Sequence, residues 1–226
     1  MGRQGAVEFC LFVAIAMFPA TRCFGDVTIE QKPVVVEHKT FDPAHRPSEM
    51  PALKQGEAAV TETRFDCDAD LTYKVVDRNP TSAGCTATLR VQSVHLTLIL
   101  KIIVWLPTSA PAKLAAHEDG HKQIDQRIYE EAKSIAEKEG NLLDGQAVNA
   151  SAADCATAEN KATQSAAEGV CRRYLDAVGR RTERINQLYD DITSHGTKLT
   201  PGEDKAVEQA FDCEHQNVSG RSPSVR

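Results

Sequence analysis

No C-x-x-C pair occurs in the chain, although it holds seven cysteines among 226 residues. That argues against a cysteine-built zinc site. A dense basic face is missing too. The formal charge is −6, and only Arg172-Arg173 and Arg180-Arg181 cluster, so nucleic acid is not an expected partner. The apolar stretch from Phe9 to Phe18 is too short to span a bilayer, and no internal repeat is visible. A hydrophobic share of 41% is nonetheless enough for a core, which excludes global disorder.

The start of the chain reads as a secretory signal over residues 1–25. Arg3 supplies the positive start, Phe9 to Phe18 the apolar stretch, and Cys23-Phe24-Gly25 the small residues before a cut ahead of Asp26. The expected location is periplasmic or secreted, with no stable membrane insertion after cleavage. Cleavage leaves Cys67, Cys85, Cys155, Cys171 and Cys213, and an exported chain can oxidise them. Proximity in sequence suggests Cys67 with Cys85 and Cys155 with Cys171, with one cysteine left over.

Residues 26–56 read as an extended lead-in with one edge strand near Val34-Val35-Val36, and nothing in them specifies a pro-segment. Strand alternation then runs through Leu71, Tyr73 and Val75. A turn falls near Asn79-Pro80 and Ser82-Ala83-Gly84. The register shifts at Gln92-Ser93, which predicts a bulge or bend before the apolar face Val94 to Val104. A helix follows, with Leu114, His117, His121, Ile124, Ile128 and Ile135 on one side and a stop at Gly140-Asn141. Residues 141–166 are a weakly specified, partly helical connection. A second long helix carries Val170, Tyr174, Val178, Ile185, Leu188 and Ile192 and ends near Gly196. The polar tail, 201–226, has one short helical stretch from Glu203 to Phe211. The expected fold class is α+β: a small antiparallel sheet followed by two long antiparallel helices, zincin-like, with the metal-binding catalytic domain over residues 57–200.

The chemistry concentrates in His117-Glu118-Asp119-Gly120-His121, an H-E-x-x-H on a helix. Histidines four apart share a helix face and can hold one ion, with Glu118 beside them to handle a proton. A hydrolytic zinc site needs a third protein ligand. The metzincin extension is absent, because Ile124 and Arg127 stand where its glycine and histidine would be. Glu159, Glu168 and Glu183 carry no distinguishing context. The stretch Tyr189-Asp190-Asp191-Ile192-Thr193-Ser194-His195-Gly196 fits better. His195 is the first choice of ligand. Asp190 is the second, as an alternative ligand or as a partner that orients a ligand histidine. Tyr189 is the candidate donor to an oxyanion.

These residues also carry a resemblance. Thr61 to Phe65 (T-E-T-R-F), the strand block ending at Trp105, the H-E-D-G-H at 117–121 and the Y-D-D-I-T-S-H-G at 189–196 resemble an uncharacterised family of predicted secreted bacterial Zn-dependent proteases. The match covers roughly residues 57–197. It implies Zn²⁺ and hydrolysis of a peptide or protein substrate. Together with the motif, it leads to a peptidase in which His117, His121 and His195 hold zinc and Glu118 is the general base. The alternatives are a zinc-binding module without hydrolysis and a periplasmic interaction protein. Nothing in the sequence specifies an oligomeric state.

Overall fold

The computed structural model describes residues 26–54, 56–198 and 200–218. The expected signal segment and its cysteines lie outside the described residues. Five strands and three helices follow in the order β1 (Asp26–Gln31), β2 (Val35–Phe41), β3 (Val60–Thr81), β4 (Gly84–Pro107), α1 (Ala112–Leu143), β5 (Ala147–Ala152), α2 (Cys155–Thr193) and α3 (Glu203–Val218).

The sheet is built on β4. Antiparallel β3 pairs along it from Gly84 to Trp105. The opposite edge of β4 is shared end to end by three short strands. Antiparallel β5 takes Cys85 to Arg90, and parallel β1 and β2 take Ser93 to Leu98 and Lys101 to Pro107. This overturns the expectation of a small antiparallel sheet followed by two long helices. The sheet is five-stranded and mixed, with the 24-residue β4 at its centre and the 22-residue β3 along one edge, and three helices accompany it. Alternation in a sequence marks which face of a strand is buried, but not which neighbour it pairs with or in which direction. Residues 26–56 are therefore not a lead-in outside the domain, since two of the five strands come from them.

The turn between β3 and β4 closes at Thr81 and Gly84. At Gly84 (φ +142°) an added Cβ would strike the backbone of Ala152, so glycine is required there. The register shift falls where the alternation breaks. Thr72 pairs with Ser93 and Tyr73 with Val91, which leaves Gln92 bulged. That extra residue puts Val91 and Val94 on the same face, so the buried row runs from Ala87 to Val104 without interruption. The two long helices cover this face and meet Val94, Leu96, Leu98, Leu100 and Ile102 with Tyr129, Ala132, Ala136, Val170, Tyr174 and Val178. On the other face Trp105 packs in a small cluster with Phe41 and Met50.

Helix α1 passes the expected stop at Gly140, which is there for proximity. An added Cβ would sit 2.6 Å from Val27 of β1. The Ala-rich connection resolves into β5 and the first turns of α2, capped by Asp154, whose carboxylate accepts from the Thr157 N–H at 2.9 Å. Helix α3 packs Ala206, Val207, Ala210 and Phe211 onto Ile124, Ile128, Ile185 and Tyr189, so the segment after residue 200 contributes to the core.

The disulfides join Cys67 to Cys171 and Cys85 to Cys155. The pairing by proximity in sequence is therefore wrong. Cys67 and Cys85 lie on antiparallel strands far from register, since Cys67 pairs with Leu98. Cys155 and Cys171 are more than four helical turns apart on the continuous α2. Cys213 is the remaining free cysteine among the described residues. No described helix is long and apolar enough to cross a membrane.

Candidate metal centre

Two helix rows face each other. On α1, His117, His121 and Asp125 recur at every fourth residue; on α2, Thr182, Asn186 and Asp190 do the same. Spacing by four keeps each row on one face, and the helices run antiparallel, so His117 and His121 meet Asp190 while Asn186 reaches both His121 and Asp125. Both rows line one cleft of about 470 Å³ with Thr61 and Thr63 of β3.

The ligand atoms form a nearly equilateral triangle. His117 Nε2 and His121 Nε2 are 3.3 Å apart, and Asp190 Oδ1 lies 3.3 and 3.2 Å from them. Ligands about 2.0–2.1 Å from a tetrahedral zinc stand roughly 3.3 Å from one another. Asp190 Oδ1 is buried and makes no hydrogen bond of ordinary geometry despite these neighbours. The three atoms stand as close to one another as the ligands of one cation do. Among the described residues this is the only trio of histidine, cysteine or acidic side chains grouped tightly enough to hold an ion.

The surrounding contacts hold the trio in place. His121 Nδ1 lies 2.6 Å from Asn186 Oδ1, and the Asn186 amide donates to Asp125 at 2.9 Å and to the Thr182 carbonyl at 3.0 Å. An acceptor on Nδ1 leaves the Nε2 lone pair free for a metal. Thr63 donates to Asp125, and Thr61 donates to Glu118 Oε2 at 2.8 Å. The two threonines of T-E-T thus each tie one buried carboxylate of α1 to β3. Burial opposes the charge on Asp190, yet the two imidazoles facing it, His117 and His121, hold its carboxyl well below the usual range. Burial would lower His121 as well, but Asp190 and Asn186 raise it to about 8. Burial raises the Glu118 carboxyl, with His121, Thr61 and His117 opposing.

Asp190, not His195, is thus the third member of the trio. Helix α2 continues to Thr193, which keeps Asp190 on the inward face. Ser194 and His195 then adopt left-handed backbone (φ +48° and +52°) and carry the chain outward. The His195 side chain is 63% exposed, with Nδ1 3.6 Å from Asp190 Oδ1, so it stands at the cleft mouth. Glu159 pairs with Arg78 and Glu168 accepts from Gln164, while Glu183 is exposed; none approaches the trio.

Tyr189 does not face the cleft. Its ring is fully buried, stacked on the His117 ring at 5.1 Å and edge-on to His121 at 5.0 Å. Its hydroxyl donates to the His117 carbonyl at 3.2 Å. It supports the histidines and is not among the residues that line the cleft. Two glycines make room for this packing. A Cβ on Gly120 would fall inside the van der Waals envelope of the Tyr189 hydroxyl and ring, and one on Gly196 would lie 2.8 Å from His117 Cγ. The sequence reading missed Asn186, Asp125, Thr61 and Thr63. The fourfold polar row Thr182-Asn186-Asp190, opposite His117-His121-Asp125, was the signal that could have found the first two.

A scan against protein-family models gives no match, and comparison with curated proteins and with solved structures gives none either.

Proposed function

We propose that the chain is a zinc-dependent peptidase acting in the periplasm or outside the cell. The observation that carries this reading is the triangle of His117 Nε2, His121 Nε2 and Asp190 Oδ1, with edges of 3.2–3.3 Å, beside the buried carboxylate of Glu118. A donor set of two imidazoles and one carboxylate suits zinc, and three protein ligands would leave a coordination position for water. The ion held there would supply Lewis acidity and bring a water's pKa near neutrality.

The protein's own groups do the rest. His117, His121 and Asp190 bind. Asn186 fixes the His121 tautomer, and Tyr189 fixes the height of His117 by stacking and by its bond to the backbone. Glu118 is the proton carrier: it takes a proton from the attacking water and delivers it to the leaving amine. The hydroxyl of Thr61 holds that carboxylate at 2.8 Å, and burial keeps its pKa above the ordinary value, closer to the working pH of a general base. His195, at the mouth, is placed to meet substrate rather than metal. The two disulfides agree with export into an oxidising compartment.

The test is elemental analysis and hydrolysis of an unfolded protein substrate by the mature chain. Glu118→Gln should keep zinc and lose about 10²- to 10⁴-fold in rate. Asp190→Ala should lose zinc, and His195→Ala should retain it. Full activity in Glu118→Gln would end the peptidase reading; zinc lost from His195→Ala and kept by Asp190→Ala would reverse the ligand assignment.

A further inference from the structure

The cleft does not stop at the trio. It continues one helical turn further, to Asp125 on α1 and to Asn186 and Thr182 on α2, with Thr63 as the wall from β3. Its mouth is exposed at Lys54 and His195, whereas Asp125 at the far end is only 2% exposed. The donors to Asp125 are neutral: the Thr63 hydroxyl and the Asn186 amide. Each carboxylate oxygen retains a further lone pair. No lysine or arginine among the described residues pairs with it. At the mouth, the Lys113 ammonium is engaged by the Thr197 carbonyl and that of Lys54 by Glu57. Beside Asp125, the Thr182 hydroxyl is buried with no partner. A buried carboxylate without a counter-ion is unfavourable, and burial raises the Asp125 pKa accordingly. Asp190 serves the ion proposed for the outer part, so Asp125 is the acidic group left facing the inner end.

We propose that this inner end is a subsite for a cationic group of the substrate, an ammonium or guanidinium, with Asp125 as its counter-ion and Thr182 Oγ1 as a further acceptor. The assignment of that cation to a peptide rests on the peptidase reading. It is either the free α-amine or a lysine or arginine side chain near the scissile bond, and both present the same donors. A role confined to holding Asn186, and through it His121, would not distinguish charged from neutral ligands.

Calorimetric binding to the zinc-loaded mature Glu118→Gln chain separates these roles. Three sets of hexapeptides serve as probes: N-acetylated with one lysine at each position in turn, N-acetylated with norleucine in its place, and norleucine peptides with a free amino terminus. One cationic set should bind about tenfold or more tighter than the neutral set, and which set does so identifies the source. Adding Asp125→Asn should erase that preference. Thr182→Val, which leaves Asp125 and Asn186 in place, should reduce it by a smaller factor and covers the case in which Asp125→Asn fails to fold. Equal binding of all sets, no binding of any, or an equal loss for charged and neutral peptides in Asp125→Asn would overturn the subsite. Hydrolysis by the wild-type chain is read separately. Activity without cation preference sinks the subsite alone, and cation preference without activity sinks the peptidase reading alone.

Discussion

Helices α1 and α2 run side by side, and their two ends are held by opposite means. At the far end the sheet is bound to α2 covalently, through Cys67–Cys171 and Cys85–Cys155, over an aliphatic core. At the other end there is no covalent link among the described residues. His117, Glu118, Asp125 and Asp190 are largely buried, and they are held by hydrogen bonds from Thr61, Thr63 and Asn186, by Tyr189 and by two glycines. Buried polar and charged groups weaken the fold around them. A chain that accumulates them at one end gains from a second end whose stability does not depend on charge, metal or pH.

Breaking the covalent end should have the largest effect. The disulfides close loops with sequence separations of 104 and 70 residues, and loops of that order contribute roughly 4–5 kcal/mol each by the chain-entropy estimate. The two are nested, so their joint contribution is less than additive. Denaturant unfolding of the metal-free mature chain, with and without reductant and with Cys213 blocked, should show a loss of about 4–7 kcal/mol on reduction. An unchanged midpoint would mean that the aliphatic core alone carries that end.

The next largest effect comes from Gly120→Ala, which sharpens the contrast within a single helix pair. A methyl there meets Tyr189, which is fully buried and pinned against His117, so neither partner can yield. Overpacking of this kind destabilises by about 1–3 kcal/mol, against a gain of up to about 1 kcal/mol in helix propensity. Zinc affinity should fall along with stability, because the displaced ring carries His117. Gly179, in the middle of α2, has nothing within 4 Å of its built Cβ, so Gly179→Ala should stabilise by up to about 1 kcal/mol. Thermal melts of the two variants with opposite signs are the expected result; equal shifts would show that Tyr189 is free to move.

The same contrast explains what could be read in advance. His117, Glu118 and His121 are visible because helix periodicity is local, and the bulge at Gln92 is visible because alternation is local too. His195 precedes Asp190 in the sequence reading because imidazole is a good zinc ligand, and where α2 ends is not written in its composition. The helix runs on to Thr193, which keeps Asp190 inward and leaves His195 at the cleft mouth. The disulfides and the parallel strands β1 and β2 depend on which segments meet across the sheet, and a burial pattern does not record that. β5 was hidden for a different reason. Ala147-Val148-Asn149-Ala150-Ser151-Ala152 has one β-branched residue, and it is a strand because β4 offers it an edge, not because of its own propensity.

The effect specific to the polar end is its response to pH. In the metal-free protein His121 is raised to about 8 by Asp190 and Asn186, against an ordinary value of 6.5. A folded pKa above the unfolded one means that the charged imidazole stabilises the fold. This contribution is complete below about pH 6.5 and is lost as pH rises through 8. Asp190, held low by the same histidines, contributes in the opposite sense, with a stabilisation present above the ordinary carboxylate range and lost in acid. The pair shares one interaction, so the expected loss between pH 6.5 and 8.5 is on the order of 1–2 kcal/mol rather than the sum of two shifts. Zinc reverses the trend, because it needs neutral imidazoles and its affinity rises over the same interval. Chemical unfolding at pH 6, 7, 8 and 9 should therefore show metal-free stability declining while the increment on adding zinc grows, and His121→Asn should flatten the first curve. A metal-free stability that is constant from pH 6 to 9 would mean that His121 and Asp190 do not face each other in the folded chain, and the trio would lose its geometric basis.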